Sequence, residues 1–151
     1  MRISSITDQI YIKAVRIRNI EENGINMVGE SIENEFMGII NYCVMAMIQI
    51  ETNEDERYIS NDEDLINSYD NYIQNTKTLM LQKNHDYGEI WRSMLVSTFT
   101  DMLLMRINRI HQIISNKGKT LASEGIESNF MDMINYSIFA LIRLSEEKQT
   151  K

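Results

Sequence analysis

The 151-residue sequence predicts an all-α protein, a helical bundle built from an internal duplication, and three observations predict it. There is no proline anywhere, and Ile, Met, Glu and Asn are abundant, a composition that favours long uninterrupted helices. Apolar residues recur at helical spacing through most of the chain. One phrase occurs twice: Glu30-Ser-Ile-Glu-Asn-Glu-Phe-Met-Gly-Ile-Ile-Asn-Tyr42 returns as Glu124-Gly-Ile-Glu-Ser-Asn-Phe-Met-Asp-Met-Ile-Asn-Tyr136. With one extra residue in the second loop, roughly 19 of 51 positions agree between residues 1–51 and 94–145.

The elements follow in order. Thr7 to about Glu22 reads as a first helix with Ile10, Val15, Ile17 and Ile20 on its apolar stripe, ended by Asn23-Gly24. A second helix, from about Glu33 to Glu51, is apolar on almost every side, the pattern of an enclosed element. Its apolar run from Phe36 to Ile50 contains Asn41 and Gln49 and is shorter than the ~20 residues of a membrane span, so a buried helix is expected. Residues 52–64 form an acidic linker. From Glu51 to Asp64 there are about seven acids against one base, roughly −6 of charge in one stretch. Ser60 and Glu63 have the form of a capping box, starting a third helix near Asn61 that runs to about Gln82. Lys83-Asn-His-Asp-Tyr-Gly88 is read as a turn, and Trp91, Met94 and Leu95 as a short apolar anchor. Thr98 and Asp101 open a fourth helix to about Asn116, and the last extends from about Glu127 to Glu146, leaving a 147–151 tail.

The organisation is thus a degenerate two-helix first copy (1–51), the linker, and a complete second copy (65–146). Two helices alone leave an apolar face open, so the first copy is expected to pack on the second or across a homodimer. A net charge of −7 argues against a duplex nucleic-acid scaffold while leaving small anionic ligands open. A single cysteine, Cys43, excludes an internal disulfide and fits a reducing compartment; with no secretion signal visible, a cytoplasmic protein with no membrane segment is expected.

The repeats differ most tellingly where Asp132 stands opposite Gly38: one copy keeps a carboxylate inside an apolar segment and the other is expected to have none. An unpaired charge among Phe130, Met131, Met133, Ile134 and Ile138 costs several kcal/mol. Asp132 therefore meets a metal, a set of donors, or an arginine such as Arg106 or Arg109. Asn41 and Asn135, present in both copies, read as interhelical hydrogen bonds rather than ligand contacts. Asp8 and Asp101 are placed in the first turn of a helix, where exposed amides and the dipole favour an acid. In the Lys83–Arg92 stretch, Lys83 and Arg92 suit phosphates, and Tyr87 or Trp91 could stack on a base; Trp91 is read as a core anchor and His85 as solvated. One cysteine and two histidines exclude a zinc site, and neither a glycine-rich phosphate loop nor a serine-nucleophile motif occurs. Convergence of Asp86, Asp101, Glu124, Glu127 and Asp132 would make an all-oxygen site for Mg²⁺ or Mn²⁺, with Arg106, Arg109, Lys117 or Lys119 as anion partners.

Lys83-Asn-His-Asp-Tyr-Gly-Glu-Ile-Trp-Arg92, Thr100-Asp101 with Arg106 and Arg109, Gly118-Lys-Thr, Glu124-Gly-Ile-Glu127 and Asp132-Met-Ile-Asn-Tyr136 together resemble nucleotide modification associated domain 1. The resemblance covers residues 80–145 well, and residues 1–51 look like a degenerate preceding copy. It implies a role in nucleotide or modified-nucleobase metabolism. A weaker similarity to all-α nucleoside triphosphate pyrophosphohydrolases of the MazG and dimeric dUTPase kind implies Mg²⁺-dependent hydrolysis of a (deoxy)nucleoside triphosphate. In that scheme Asp101, Glu124, Glu127 and Asp132 hold metal, Asp86 and Asp132 serve catalysis, and Lys83, Tyr87, Arg92, Arg106 and Arg109 hold the nucleotide. Asn129 stands where those enzymes place an acid three residues before Asp132. The alternative expectation is a non-catalytic helical module that senses a nucleotide or binds a partner, with its carboxylates paired to arginines.

Overall fold

Ile3, Ile6, Ile10, Ala14 and Ile17 recur every three or four residues and form the buried face of α1 (Ile3–Asn23). A computed structural model describes residues 2–24, 29, 31–54, 61–116 and 125–149. Within them lie α1, α2 (Ile32–Glu54), α3 (Asp62–Tyr87), a 3₁₀ turn (Ile90–Ser93), α4 (Val96–Ser115) and α5 (Ile126–Gln149). The protein is all-α, and the described residues contain no strand.

Four helices form a ring in the order α1, α2, α5, α4, each packed on its neighbours. Polar pairs give their directions. Asp8 meets His111 at 3.3 Å near one end of the α1–α4 seam, and Arg18 meets Asp101 near the other, so the two helices are antiparallel. Lys148 on α5 reaches Glu33 on α2 at 2.7 Å, which makes that pair antiparallel too. The open face of the first two helices is thus covered by the last two. Their side chains share one apolar cluster that includes Phe36, Phe99, Leu103, Ile107 and Phe130. α2 is the enclosed helix its composition predicts, with Phe36, Ile39, Cys43, Val44, Ala46 and Met47 at or near zero exposure. No helix among the described residues is long and apolar enough to cross a membrane.

α3 lies outside the ring, across α2 and α5, with Thr76 as its only buried residue. It is fastened by polar bonds: the Tyr69 hydroxyl donates to Asn41 Oδ1 at 2.6 Å, Tyr72 to Glu51 at 2.7 Å, and Asn135 Nδ2 to the Thr76 carbonyl at 3.4 Å. Both repeated asparagines are therefore interhelical hydrogen-bonding residues, as expected.

Several expected boundaries move. α1 and α4 begin earlier than the polar residues suggest, because Ile3, Ile6 and Phe99 are core contacts that extend each helix backwards. Asp8 and Asp101 consequently sit beyond the first turn and pair across the α1–α4 seam instead of capping. Asn61 is the N-cap of α3, accepting from the Asp64 amide at 2.8 Å, and Ser60 lies outside the described residues. The acidic stretch is only partly a linker: its start completes α2, and Asp62, Glu63 and Asp64 form the first turn of α3, favourably placed for the helix dipole. Residues 83–87 are helix, not turn. α3 runs on until Gly88, whose φ of 67° few other residues adopt and whose N–H closes on the Asn84 carbonyl at 2.7 Å.

Candidate functional site

Carrying α3 through Tyr87 has a direct consequence: it delivers Lys83 to α5. Lys83 Nζ lies 2.9 Å from Asp132 Oδ1, and Arg106 Nη2 from α4 lies 3.3 Å from Oδ2. Asp132 is about nine-tenths buried, and each of its oxygens has its own cation. Arg106 also donates to Asn129 Oδ1 and the Tyr136 hydroxyl, both at 3.5 Å. The bond to Tyr136, and less strongly the charge of Asp132, push the guanidinium pKa up, so it stays a cation.

Two hollows meet at this triad. A cavity of about 290 Å³ lies between the end of α3, the 3₁₀ turn, and the adjoining faces of α4 and α5. Its wall is largely apolar (Met80, Trp91, Met94, Phe99, Met102, Phe139), with Tyr87, Lys83, Asn84, Asp132, Asn135 and Tyr136 adding polar groups. Trp91 stacks on Phe139 with ring centroids 4.5 Å apart and planes 9° from parallel and is buried, so the expected core anchor also borders the cavity. The second hollow, about 400 Å³ and more polar, is lined by Arg106, Arg109, Gly125, Ser128 and Asn129, and shares Met102 and Tyr136 with the first. It opens beside the start of α5.

Of the residues singled out from sequence, Asp132, Lys83, Arg106, Arg109 and Tyr87 border these hollows. Tyr87 is an exposed residue of the first cavity's rim and not a core anchor. Arg92 is engaged elsewhere, bonded to Glu89, 2.7 Å from Glu146 and lying over the Trp91 ring at 4.3 Å. Asp86 and its 3.2 Å partner His85 are exposed and line a shallow depression with Thr78 and Leu81. Asp101 pairs with Arg18, and Glu127 occupies the first turn of α5. Glu124, Lys117 and Lys119 fall outside the described residues. Among the described residues, no three acids, histidines or cysteines are grouped to hold a metal ion.

The expectation that the first copy lacks an enclosed carboxylate is corrected. Glu35, three residues before Gly38, is 4% exposed and meets Lys13 at 3.4 Å and Arg16 at 3.0 Å. Gly38 makes room for this: a Cβ there would stand 2.7 Å from the Lys13 Cε. Sequence reasoning passed over Glu35 because an acid at that position looks like ordinary helix surface. The usable signal was Lys13 and Arg16, spaced to reach one point from α1. Asn84 was also missed as a lining residue, and no spacing rule marks it.

Fold and geometry together define an all-helical bundle with a cation-flanked cleft on one side. The profile of nucleotide modification associated domain 1 matches residues 1–50 and 83–144, more than half of the chain, and the chain belongs to this family. Neither functionally curated proteins nor solved structures provide a match.

Proposed function

We propose that the protein binds a nucleotide in this cleft, with the base in the apolar hollow and the phosphates towards Arg106 and Arg109. The observation that carries this is the junction of the hollows at Met102 and Tyr136: one side offers a largely apolar lining, the other two guanidinium groups beside a helix start. A nucleotide has the same division between a flat base and an anionic end. Arginine's planar fork suits phosphate oxygens, and Arg109 has no ion pair among the described residues to give up. Membership of a nucleotide-modification-associated family agrees with this choice of ligand.

The described carboxylates do not fit a shared Mg²⁺ or Mn²⁺ as they stand, since coordination needs oxygens within ~2–2.6 Å of one ion. Asp132 is held by two cations, Asp101 by Arg18, and Asp86 lies on an exposed surface beside His85. No hydrolytic step is derived from them. In this reading Mg²⁺ arrives as the counter-ion of the phosphates, and the protein is a nucleotide-binding module.

The test is thermal unfolding with nucleoside mono-, di- and triphosphates, with and without Mg²⁺. A ligand at a hundred times its Kd adds about 2.7 kcal/mol, an easily seen rise in Tm. No rise with any nucleotide would sink the proposal. Pyrophosphate measured in the same samples addresses turnover: release by the wild type and its loss in Asp132→Asn would restore the pyrophosphohydrolase reading.

A further inference from the structure

Arg106 belongs to two groupings at once: it pairs with the enclosed Asp132, and it lines the polar hollow. Its terminal nitrogens are already engaged. Nη2 faces Asp132 Oδ2 at 3.3 Å and the Tyr136 hydroxyl at 3.5 Å, and Nη1 faces Asn129 Oδ1 at 3.5 Å. All three lie beyond the ~2.7–3.2 Å usual for an N–H···O bond. The first half shows a tighter pair: Arg16 Nη1 is 3.0 Å from Glu35 Oε1, and its side chain is 21% exposed against 40% for Arg106. Arg106 is thus held loosely, by acceptors that a stronger one can replace.

A phosphate is such an acceptor. Its oxygens take charge-assisted bonds of about 2.7–2.9 Å from a guanidinium fork. To turn both terminal nitrogens towards an anion in the hollow, Arg106 has to leave Asp132. That acid would not be stranded, because Lys83 Nζ holds its other oxygen at 2.9 Å. Arg109 has no ion pair among the described residues to surrender. The two arginines of the hollow are therefore unequal: one is open to an anion, and the other must first be taken from a carboxylate.

Building on the nucleotide-binding reading, we infer that Asp132 is a built-in competitor for the phosphate: it occupies Arg106 in the empty cleft and yields it to an entering anion while keeping Lys83. The carboxylate then sets affinity downwards. Two like charges roughly 6 Å apart lower affinity about threefold even in bulk water, and more where water is displaced. An acid that held a phosphate-bound metal, or that aimed the guanidinium at the phosphate, would act in the opposite sense, and its removal would weaken binding.

The experiment measures Kd by calorimetry for the full chain and for Asp132→Asn and Asp132→Ala. The probes are the four common deoxynucleoside monophosphates, their unphosphorylated nucleosides, and inorganic pyrophosphate. Both variants should bind the phosphate-bearing probes at least about threefold more tightly than the wild type, with any nucleoside affinity unchanged within about twofold. Asp132→Ala keeps the test decisive where the new amide of Asp132→Asn itself holds Arg106. Phosphate affinity that is equal or weaker in both variants would overturn the competition while leaving nucleotide binding intact. An equal gain for the bare nucleosides would overturn it as well, since the cause would then be the shape of the cavity and not its charge. Binding of no phosphate-bearing probe by the wild type or either variant would remove the nucleotide reading and this inference with it.

Discussion

The two halves of the molecule solve one electrostatic problem in two ways. In the first, Lys13 and Arg16 of α1 converge on Glu35 of α2, and Gly38 leaves space for the lysine stem to cross. In the second, the matching positions are Arg106 and Arg109 on α4, with Asn129 and Asp132 on α5. The carboxylate has moved one helical turn, from the place of Glu35 to that of Gly38. Arg106 follows it, Lys83 arrives from α3, and Arg109 is left without an ion pair among the described residues. One half closes its charges on themselves. The other turns them towards a cleft. The lesson is that a buried acid is not in itself a site; what matters is whether its partners are exhausted by it.

The sharpest way to break this comparison is to remove each acid. Glu35→Ala removes the acid shared by two cations whose side chains are only 25% and 21% exposed, so a loss of about 2–3 kcal/mol is expected, a Tm fall of roughly 5–10 °C. Asp132→Ala releases cations that are 50% and 40% exposed and can return to water, so about 1 kcal/mol is expected. Equal losses in chemical denaturation would show that the halves are not differently closed.

A smaller effect comes from Ser137, which occupies the position of Cys43. Both side chains are fully buried; the thiol suits its surroundings, and burial drives its pKa upward. The Ser137 hydroxyl has no hydrogen-bond partner among the described residues. Ser137→Ala should therefore stabilise the protein by about 0.5–1 kcal/mol, seen as a Tm rise of about 2 °C. A fall would mean that the hydroxyl is satisfied.

Gly38→Ala tests the closure itself. Alanine favours the helix by up to ~1 kcal/mol, but its Cβ displaces Lys13 from Glu35, so the net change is expected within about 0.5 kcal/mol. Lys13→Met in the Gly38→Ala background should then cost less than it does alone, because the ion pair is already lost.

The smallest expected effect is a pH dependence confined to the first half. Burial raises the pKa of Glu21 above its ordinary 4.5, outweighing its bond from Thr100, whereas the matching residue in α4 is Ile114. The folded state then holds this proton more tightly than the unfolded chain. The stability this contributes is complete below about pH 4.5 and is lost as pH rises through the elevated folded value. Relative to Glu21→Gln, the wild type should gain stability on acidification from neutral towards pH 4.5. A constant Tm difference over that range would show that the carboxyl is not desolvated.

Much of this was legible beforehand. The Gly24 stop, the enclosed α2 and Trp91 as an anchor follow from local chemistry, because backbone freedom and apolar spacing act within a few residues; Gly88 was legible as a turn, but not that α3 runs on to reach it. Glu35 was not legible as an enclosed acid, since its burial depends on side chains arriving from another helix. The acids proposed around one ion fared similarly: their spacing is compatible with convergence, but Asp101 faces the α1–α4 seam and Asp86 an exposed surface, a consequence of how the helices are rotated.

The chain alone therefore determines its helices, their stops and the faces they bury, because those depend on a residue and its neighbours three and four places away. Which half is closed, which is open, and which cations meet which acid were decided only when α3 was laid across α5 and α4 was turned against α1. Charge pairing over such distances depends on the reach and direction of side chains from separate helices, which no period in the sequence records.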